Sequence, residues 1–317
     1  MTTEVIHTEN QEQWLSLRQR DVTSTESAAL FGESPYVTQF ELYHRKRSGE
    51  AAAFQSNDRM KWGNRLEAAI AAGIAEERGW QIRPMKEYMR LPDERIGSSF
   101  DFMILNHPDG PAHLEIKNVD YLAYRDGWLV EDDDVQAPTH IEVQVQHQML
   151  VSGFGRSFIG ALIGGNREVV IERPRDEAVI AALRARIRQF WRDVDQGNEP
   201  APVMPADAEA VIRMNQYAKP GKILDASSDA DIAALVAEYK QAKFAADEAD
   251  ETAKVCKARL FEKIGDAEAV LGQGWKISAS MVAESPGTTI TPEMVGQLVG
   301  KRAGFRSMRI TAVKGKR

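Results

Sequence analysis

The feature that most constrains the fold is a pair of strand-like runs, residues 95–105 and 112–118, joined by a stretch that contains Asn, Pro, Asp and Gly. Pairing of these runs as a hairpin brings Asp101 close to the second run. Glu115 and Lys117 share one face of that run, because side chains alternate along a strand. The sequence therefore predicts two carboxylates and one lysine at a single point on a sheet.

This combination of side chains suits hydrolysis of a phosphodiester. Carboxylate oxygens are ligands that Mg²⁺ prefers, and bound Mg²⁺ can activate a water molecule. The ammonium of Lys117 would orient that water, or help to deprotonate it, and offset negative charge in the transition state. A Glu-x-Lys pair alone is more often a solvated ion pair at a strand edge, so the surrounding segments decide between the two interpretations.

Segments on both sides of the hairpin favour the catalytic interpretation. A predicted amphipathic helix over 58–79 carries Glu67, and a second predicted helix over 139–152 carries Gln144. The order of helix glutamate, aspartate, Glu-x-Lys and helix glutamine resembles the PD-(D/E)xK nuclease superfamily. Over residues 14–191 the chain more narrowly resembles the YqaJ-type viral recombinase, or lambda exonuclease-like, family. The resemblance includes three N-terminal runs, Trp14–Arg18, Val22–Gly32 and Ser34–Tyr36.

The resemblance implies a role for each matching residue. The implied catalytic side chains are Glu67, Asp101, Glu115, Lys117 and Gln144. Asp101 and Glu115 would hold one or two Mg²⁺ ions, for which Mn²⁺ would substitute. Glu67 and the backbone carbonyl of Ile116 would be further metal ligands. Gln144 would hydrogen-bond the attacking water or the neighbouring lysine.

Other polar residues on the second helix are weaker candidates. Gln146 and Gln148 are not expected to share the helical face of Gln144 equally. His140 and His147 are expected to have structural roles, because the chemistry of the family does not need them.

Arg18 and Thr25 match positions that bind a terminal 5′-phosphate in the family. An arginine fork beside a hydroxyl suits a phosphate dianion, whereas the alternative for Arg18 is a salt bridge on its helix. The chain departs from the family in one place: it has Thr23-Ser24-Thr25 where the family often has Gly-Gly-Ser or Thr-Ala-Ser. A hydroxyl is retained there, so we expect function to be retained.

The order of the remaining elements predicts the fold class. Further strands are predicted at 81–91, 156–163 and 167–173, a helix at 176–196, and a long loop at 120–138. Together with the hairpin and its flanking helices, they predict an α/β fold. Its core would be a restriction-endonuclease-like mixed sheet flanked by helices.

A proline-rich run predicts a domain boundary. Three prolines between Asn198 and Pro205 disfavour both helix and strand. The predicted divisions are an exonuclease domain (1–198), a linker (199–206) and a smaller C-terminal α+β module of unknown role (207–317).

A long helix is predicted within the C-terminal module. Apolar or small residues recur every three or four positions from Ile232 to Leu260. This spacing suits either a coiled-coil-like contact with another helix or a surface helix packed on the first domain. Strands are predicted at 267–272, 274–283 and 305–313.

Composition limits how the protein would bind DNA and where it would act. The net charge is −7, so DNA binding would need local basic patches. Two candidates are the residues at 301–317 and the arginines Arg184, Arg186, Arg188 and Arg192. The single cysteine excludes an internal disulfide and a cysteine-based zinc cluster. The chain lacks a membrane-spanning run and a signal-peptide pattern, so we expect no membrane partner and a cytoplasmic location. The resemblance implies a phage or prophage protein in a bacterial host.

The expected function is a Mg²⁺-dependent 5′-to-3′ exonuclease on linear double-stranded DNA, acting in phage-type recombination to generate 3′ single-stranded ends. The resemblance implies three partners: duplex DNA ends, a single-strand annealing protein, and copies of the same chain in a ring-shaped trimer. One alternative is an endonuclease with the same core that acts in DNA repair or defence. The other is a non-catalytic DNA-binding or assembly subunit.

Overall fold

The computed structural model describes residues 2–49, 58–131, 134–273 and 275–281, and for residues 131 and 134 it describes the backbone alone. The helices are α1 (Gln11–Arg20), α2 (Gln39–Ser48), α3 (Asp58–Arg78), α4 (Tyr121–Gly127), α5 (Thr139–Ser152), α6 (Glu177–Gln196), α7 (Ala208–Met214) and α8 (Ala230–Ile264). The strands are β1 (Glu4–His7), β2 (Val22–Thr23), β3 (Ile82–Pro84), β4 (Glu87–Leu91), β5 (Ile96–Ser98), β6 (Phe102–Ile104), β7 (Ala112–Val119), β8 (Leu129–Glu131), β9 (Asp134–Gln136), β10 (Arg156–Ile163), β11 (Arg167–Pro174), β12 (Ala269–Gly272) and β13 (Trp275–Ser278).

A five-stranded sheet of order β11-β10-β7-β6-β3 forms the centre of the first unit. Strand β7 pairs parallel with β10 and antiparallel with β6, so the sheet is mixed. Leu114 and Ile116 of β7 pack with Ile74 of α3 in one buried cluster. On β10, Ile159 packs with Val145 of α5 in another. This mixed sheet flanked by helices confirms the predicted fold class.

The first unit also contains a four-stranded sheet of order β1-β4-β5-β2. The predicted strands at 81–91 and 95–105 are wrong as single strands, because each run divides between the two sheets. The chain leaves the second sheet after Ser98 and enters the first at Phe102. Asp101 lies at this crossing, where its backbone carbonyl accepts a 2.9 Å hydrogen bond from Met85 N. The change of sheet therefore places Asp101 at the start of β6.

The segment at 120–138 is not a plain loop, so that prediction is also wrong. Helix α4 begins after Asp120, whose Oδ1 accepts a 2.9 Å hydrogen bond from Ala123 N and caps the helix. Strands β8 and β9 then pair as a short antiparallel hairpin.

The two compact units divide between Arg213 and Met214, beyond the predicted linker. Asp207 is buried in the first unit, and its carboxylate accepts hydrogen bonds from Thr38 Oγ1 at 2.5 Å and Val203 N at 2.6 Å. Ala210 is buried as well. These contacts keep the residues after the prolines in the first unit.

The second unit contains the predicted long helix. Asp229 Oδ1 caps α8 through a 3.0 Å hydrogen bond from Ile232 N, and no residue of α8 is buried. Strands β12 and β13 form an antiparallel hairpin after it. The predicted strand at 305–313 and the basic segment at 301–317 lie outside the described residues. None of the helices in the described ranges combines the length and the hydrophobicity of a membrane span.

Candidate active site

Glu115 lies at the centre of the candidate site and is buried. Its Oε1 accepts hydrogen bonds from Lys117 Nζ at 2.6 Å and from Gln144 Nε2 at 2.5 Å. Its Oε2 accepts a 2.7 Å hydrogen bond from Gln148 Nε2. Helix α5 therefore supplies two amide donors and β7 supplies one ammonium. These three bonds use three of the roughly four acceptor sites of a carboxylate.

Lys117 is positioned by the alternation of β7. It lies two residues after Glu115 on the same face, where Nζ also donates to Gln144 Oε1 at 3.2 Å. Burial opposes the charged form, but Glu115 and Asp101 outweigh it and raise the pKa of the Lys117 ammonium above its ordinary value. Because 24% of the side chain is exposed, the ammonium can reach a bound phosphate.

Asp101 is fixed to β7 through the backbone. Its Oδ2 accepts a 2.8 Å hydrogen bond from Ile116 N, between Glu115 and Lys117. Burial and the negative charge of Glu115 raise the pKa of the Asp101 carboxyl well above its usual range, while Lys117 acts in the opposite direction. The β6–β7 hairpin therefore brings these three side chains together as predicted.

Glu67 approaches the same group from α3. It is partly buried, and burial together with the charge of Glu115 raises the pKa of its carboxyl. Glu67 also adds to the upward shift of the pKa of Asp101. The three carboxyl groups are thus electrostatically coupled, with Lys117 as the cation among them.

The side chains of Glu67, Asp101 and Glu115 suit a hard divalent cation, because all three offer carboxylate oxygens. Within the described ranges, His, Cys, Asp and Glu side chains do not form a group of three or more that could hold an ion. Burial and the mutual repulsion of Glu67, Asp101 and Glu115 nevertheless raise the pKa values of Glu67 and Asp101, and a bound cation would relieve that repulsion. Oδ2 of Asp101 and Oε2 of Glu115 each accept one bond from a described residue. Both carboxylates therefore keep acceptor capacity for an ion.

The ranking of the glutamines on α5 requires a correction. Gln148 lies one helical turn after Gln144, so both amides face Glu115. Gln146 faces away: its Nε2 donates to Pro174 O at 2.9 Å, and its Oε1 accepts from Asp176 N at 3.0 Å. The sequence-based ranking of Gln148 below Gln144 was wrong, although a spacing of four residues predicts that both lie on one face of the helix.

The N-terminal segment brings Arg18 and Thr25 together. Arg18 Nη2 donates a 3.1 Å hydrogen bond to Thr25 Oγ1, and the guanidinium lies 4.6 Å from the centroid of the Trp14 ring. Thr25 is exposed, so the pair is open to solvent. An arginine and a hydroxyl are thus placed side by side, as the predicted phosphate site requires.

Two hydrogen bonds connect this segment to the loop that carries Asp101. Trp14 Nε1 donates to Ser99 Oγ at 2.8 Å. Ser98 Oγ donates to Ser24 Oγ at 2.9 Å, and both residues are buried. The Arg18–Thr25 pair is therefore joined to the loop that carries Asp101 through short side-chain contacts.

A buried ion pair holds the same segment in place. Lys46 Nζ donates to Glu26 Oε2 at 2.8 Å and to the carbonyls of Arg18 and Asp21. Burial would raise the pKa of the Glu26 carboxyl, but Lys46 and Arg18 hold it below its ordinary value. Glu26 Oε2 also accepts from both the N and Oγ1 of Thr23. No sequence motif predicted these contacts.

The two histidines of α5, His140 and His147, contact residues other than the candidate catalytic ones. His140 packs edge to face on Tyr36, with ring centroids 5.6 Å apart, and burial and the charge of Lys117 lower its pKa. His147 is fully buried, and its Nε2 contacts Gly97 O at 3.1 Å. These contacts are structural, in keeping with the sequence expectation.

The arginines of α6 are largely engaged within the fold. Arg184 and Arg188 both pair with Glu94, which is buried. Arg186 Nε donates to Leu30 O at 2.7 Å, and Arg192 Nη2 donates to Gln189 Oε1 at 2.5 Å. A basic DNA-binding face on α6 is therefore not supported by these contacts.

Comparisons with known proteins agree with the N-terminal motifs. Residues 13–155 match the model of the YqaJ-like viral recombinase domain. A Bacillus subtilis (strain 168) protein described as uncharacterized protein YqaJ is 28% identical over 204 residues, which is 63% of this chain and 61% of that protein. This chain thus spans about three-fifths of the length of that relative.

Two solved structures are similar to part of this chain. An alkaline exonuclease (LHK-Exo) from Laribacter hongkongensis is 17% identical and covers 64% of this chain and 97% of its own, with a TM-score of 0.44. A phage-related exonuclease from Haemophilus somnus 129PT is 14% identical and covers 56% of this chain and 94% of its own, with a TM-score of 0.40. Residues 13–155 of this chain are therefore similar to the YqaJ-like viral recombinase domain.

Proposed function

We propose that this protein is a Mg²⁺-dependent deoxyribonuclease that digests the 5′-ended strand of linear duplex DNA and leaves a 3′ single strand. One observation carries the proposal. The Asp101 carboxylate is bonded to the backbone N–H of Ile116, between Glu115 and Lys117. Two acidic groups and one ammonium thereby converge at one end of a strand pair, which is the arrangement that hydrolysis of a phosphodiester needs.

Each side chain has a distinct task in this proposal. Asp101 and Glu115, with Glu67 and the carbonyl of Ile116, would hold the ion, and Gln144 and Gln148 would keep the Glu115 carboxylate in one orientation. When bound, Mg²⁺ would supply Lewis acidity and lower the pKa of a coordinated water.

Lys117 would stabilise the pentavalent transition state. Its ammonium lies next to the carboxylates and can donate a hydrogen bond to a non-bridging phosphate oxygen or to the attacking water. The amide of Gln144, bonded to Lys117 Nζ, would limit the directions in which that ammonium points. Because the Lys117 ammonium is already in position, the site needs little rearrangement as negative charge builds up on the phosphate.

The Arg18–Thr25 pair would bind the 5′-phosphate of a duplex end. Its guanidinium and hydroxyl match the donors that a phosphate dianion accepts. The hydrogen bonds that Trp14 donates to Ser99 and that Ser98 donates to Ser24 would keep this phosphate at a constant separation from the loop that carries Asp101. Fixed separation would favour cleavage at the end of a strand over cleavage within it.

The remaining parts of the proposal concern partners and place. The 3′ strand would pass to a single-strand annealing protein, and copies of the chain would form a ring-shaped trimer around DNA. The protein would act in the cytoplasm of a bacterial host during phage or prophage recombination. These parts rest on the family resemblance.

A digestion assay tests the proposal. Linear duplex labelled on the 5′ or 3′ end of one strand, and covalently closed circular duplex, are incubated with Mg²⁺ or EDTA. We expect immediate release of the 5′ label, delayed loss of the 3′ label, an intact circle, and no products in EDTA. Cleavage of the circle would instead support the endonuclease alternative. Absence of Mg²⁺-dependent cleavage of any substrate would support a non-catalytic DNA-binding subunit.

A further inference from the structure

Helix α8 presents a long apolar seam that no other described residue of the second unit buries. The seam comprises Ile232, Leu235, Tyr239, Ala242, Ala246, Ala249, Ala253, Cys256 and Leu260, which lie on one face in alternating steps of three and four. Leu235 is 63% exposed and Leu260 is 49% exposed. A heptad pattern of this regularity is typical of a helix that pairs with another helix.

We propose that α8 pairs with α8 of a second copy of this chain in antiparallel orientation. The inference concerns self-association of the second unit and does not depend on the nuclease proposal. It rests on the register of the seam and on the charges beside it.

Three pairs of side chains along the seam match in size when the helices run in opposite directions. In the register that places Ala246 opposite Ala249 of the second copy, Ala242 lies opposite Ala253, and Leu235 lies opposite Leu260. Two-fold symmetry repeats each pair, so small residues meet at the centre and leucines meet toward both ends. Alanines at the centre would allow the two helices to approach closely.

The charges beside the seam also match in this register. Lys243 lies opposite Asp250 of the second copy, and Glu238 lies opposite Arg259. The two-fold symmetry forms each of these pairs twice. The positions next to the seam therefore contain four pairs of opposite sign and no pair of like sign. In the parallel orientation, flanking positions five residues apart would meet, and only Glu238 and Lys243 would form pairs of opposite sign. Charge therefore favours the antiparallel pairing.

The same register places Tyr239 opposite Cys256, and this relationship allows a sharp test. Cys256 is the chain's single cysteine, and it is exposed. Positions 239 and 256 of one helix are about 25 Å apart at about 1.5 Å per residue, whereas a disulfide needs Cα atoms within about 7 Å. A disulfide that joins these two positions must therefore connect two copies.

The first experiment is mild oxidation of three full-length proteins, followed by non-reducing electrophoresis. We expect a covalent dimer for Tyr239→Cys and none for the wild type or for the double variant Tyr239→Cys/Cys256→Ser. A dimer of the wild type or of the double variant would show a parallel pair and overturn the orientation. No dimer with any of the three proteins would overturn the pairing of α8.

The second experiment measures molar mass by sedimentation equilibrium. Leu235→Arg is expected to halve the association state, while Phe244→Arg, an equally exposed position off the seam, leaves it unchanged. Lys243→Glu is expected to raise the dissociation constant on the order of tenfold, with Lys240→Glu as the outward-facing control. The charge exchange Lys243→Glu/Asp250→Lys should restore association.

Two results of that measurement would contradict the inference. A mass that Leu235→Arg leaves unchanged would exclude the seam as an interface. If Phe244→Arg lowers the molar mass as much as Leu235→Arg does, the interface includes another face of α8. The pairing of two seams would then be wrong.

Discussion

Gln148 Nε2 donates a 2.7 Å hydrogen bond to Glu115 Oε2, and both side chains are buried. Gln144, one turn earlier on α5, bonds the other oxygen of the same carboxylate. Two amides from one helix thus fix the plane of the Glu115 carboxylate. The orientation of a proposed metal ligand is therefore set by α5 rather than by β7 alone.

This relationship predicts different effects for two glutamines on the same helix. Gln148→Leu should lower kcat on the order of tenfold or more, because a hydrogen bond to a charged group contributes about 1.5–3 kcal/mol. Gln146→Leu should mainly lower the free energy of unfolding, since Gln146 bonds the backbone of Pro174 and Asp176. Steady-state kinetics and urea unfolding separate the two effects. Equal losses of kcat in both variants would indicate a general disturbance of α5.

Lys117→Ala should lose most turnover and keep Mg²⁺ and DNA binding. The ammonium acts mainly on the transition state, and removal of one such donor reduces kcat by about 10²–10³-fold in other hydrolases. Calorimetric titration with Mg²⁺ and a DNA-binding assay check the two retained properties. A variant whose main defect is weak Mg²⁺ binding would show that Lys117 organises the carboxylates instead.

Arg18→Ala should reduce the preference for 5′-phosphorylated ends. Wild-type protein is expected to degrade 5′-phosphorylated duplex on the order of tenfold faster than 5′-hydroxyl duplex, since the charged hydrogen bonds form only with phosphate. Arg20→Ala, an exposed arginine on the same helix, is the matched control and should keep the preference. A preference that persists in Arg18→Ala would place the phosphate site elsewhere.

Buried His147 should make the protein sensitive to acid. Burial lowers the pKa of His147 in the folded state to about 4, while an unfolded histidine titrates near about 6.5. The folded protein binds fewer protons between these values. The resulting stability is therefore present above pH ~6.5 and is lost as the pH falls toward 4, by about 1.4 kcal/mol per pH unit.

Replacement of His147 tests this acid dependence. His147→Gln should flatten the fall in unfolding free energy between pH 6.5 and 4, measured by urea unfolding at several pH values. His7→Gln, which changes an exposed histidine on β1, should not. The prediction fails if both variants keep the wild-type slope.

Much of the hairpin that carries Asp101 and Glu115 could be predicted from local patterns. The turn residues before Ala112 and the Glu-x-Lys alternation together predict the pairing of β6 with β7, and the structure shows that pairing. Helix α3 was also predictable, because Leu66, Ile70, Ile74 and Ala75 recur on one side of it.

The division of the strands between two sheets could not be predicted in the same way. Strand alternation has the same period in either sheet, so a run such as 95–105 does not reveal that it changes sheets before Asp101. The anchoring of Arg18 by Lys46 and Glu26 depends on contacts between residues far apart in sequence. Gln148 was different: its spacing from Gln144 indicated the shared face, and sequence reasoning gave it too little weight.

Comparison of the wild type with Asp101→Asn on end-labelled linear duplex in Mg²⁺ tests the central claim most directly. Asp101→Asn keeps the size of the side chain and an oxygen that can accept from Ile116 N, but it removes the charge needed for the ion. Asp126→Asn, at an exposed aspartate of α4 paired with Arg125, is the matched control. We predict rapid digestion by the wild type and by Asp126→Asn, and none by Asp101→Asn with an unchanged unfolding transition. Digestion by folded Asp101→Asn at the wild-type rate would contradict the claim that hydrolysis occurs at this site.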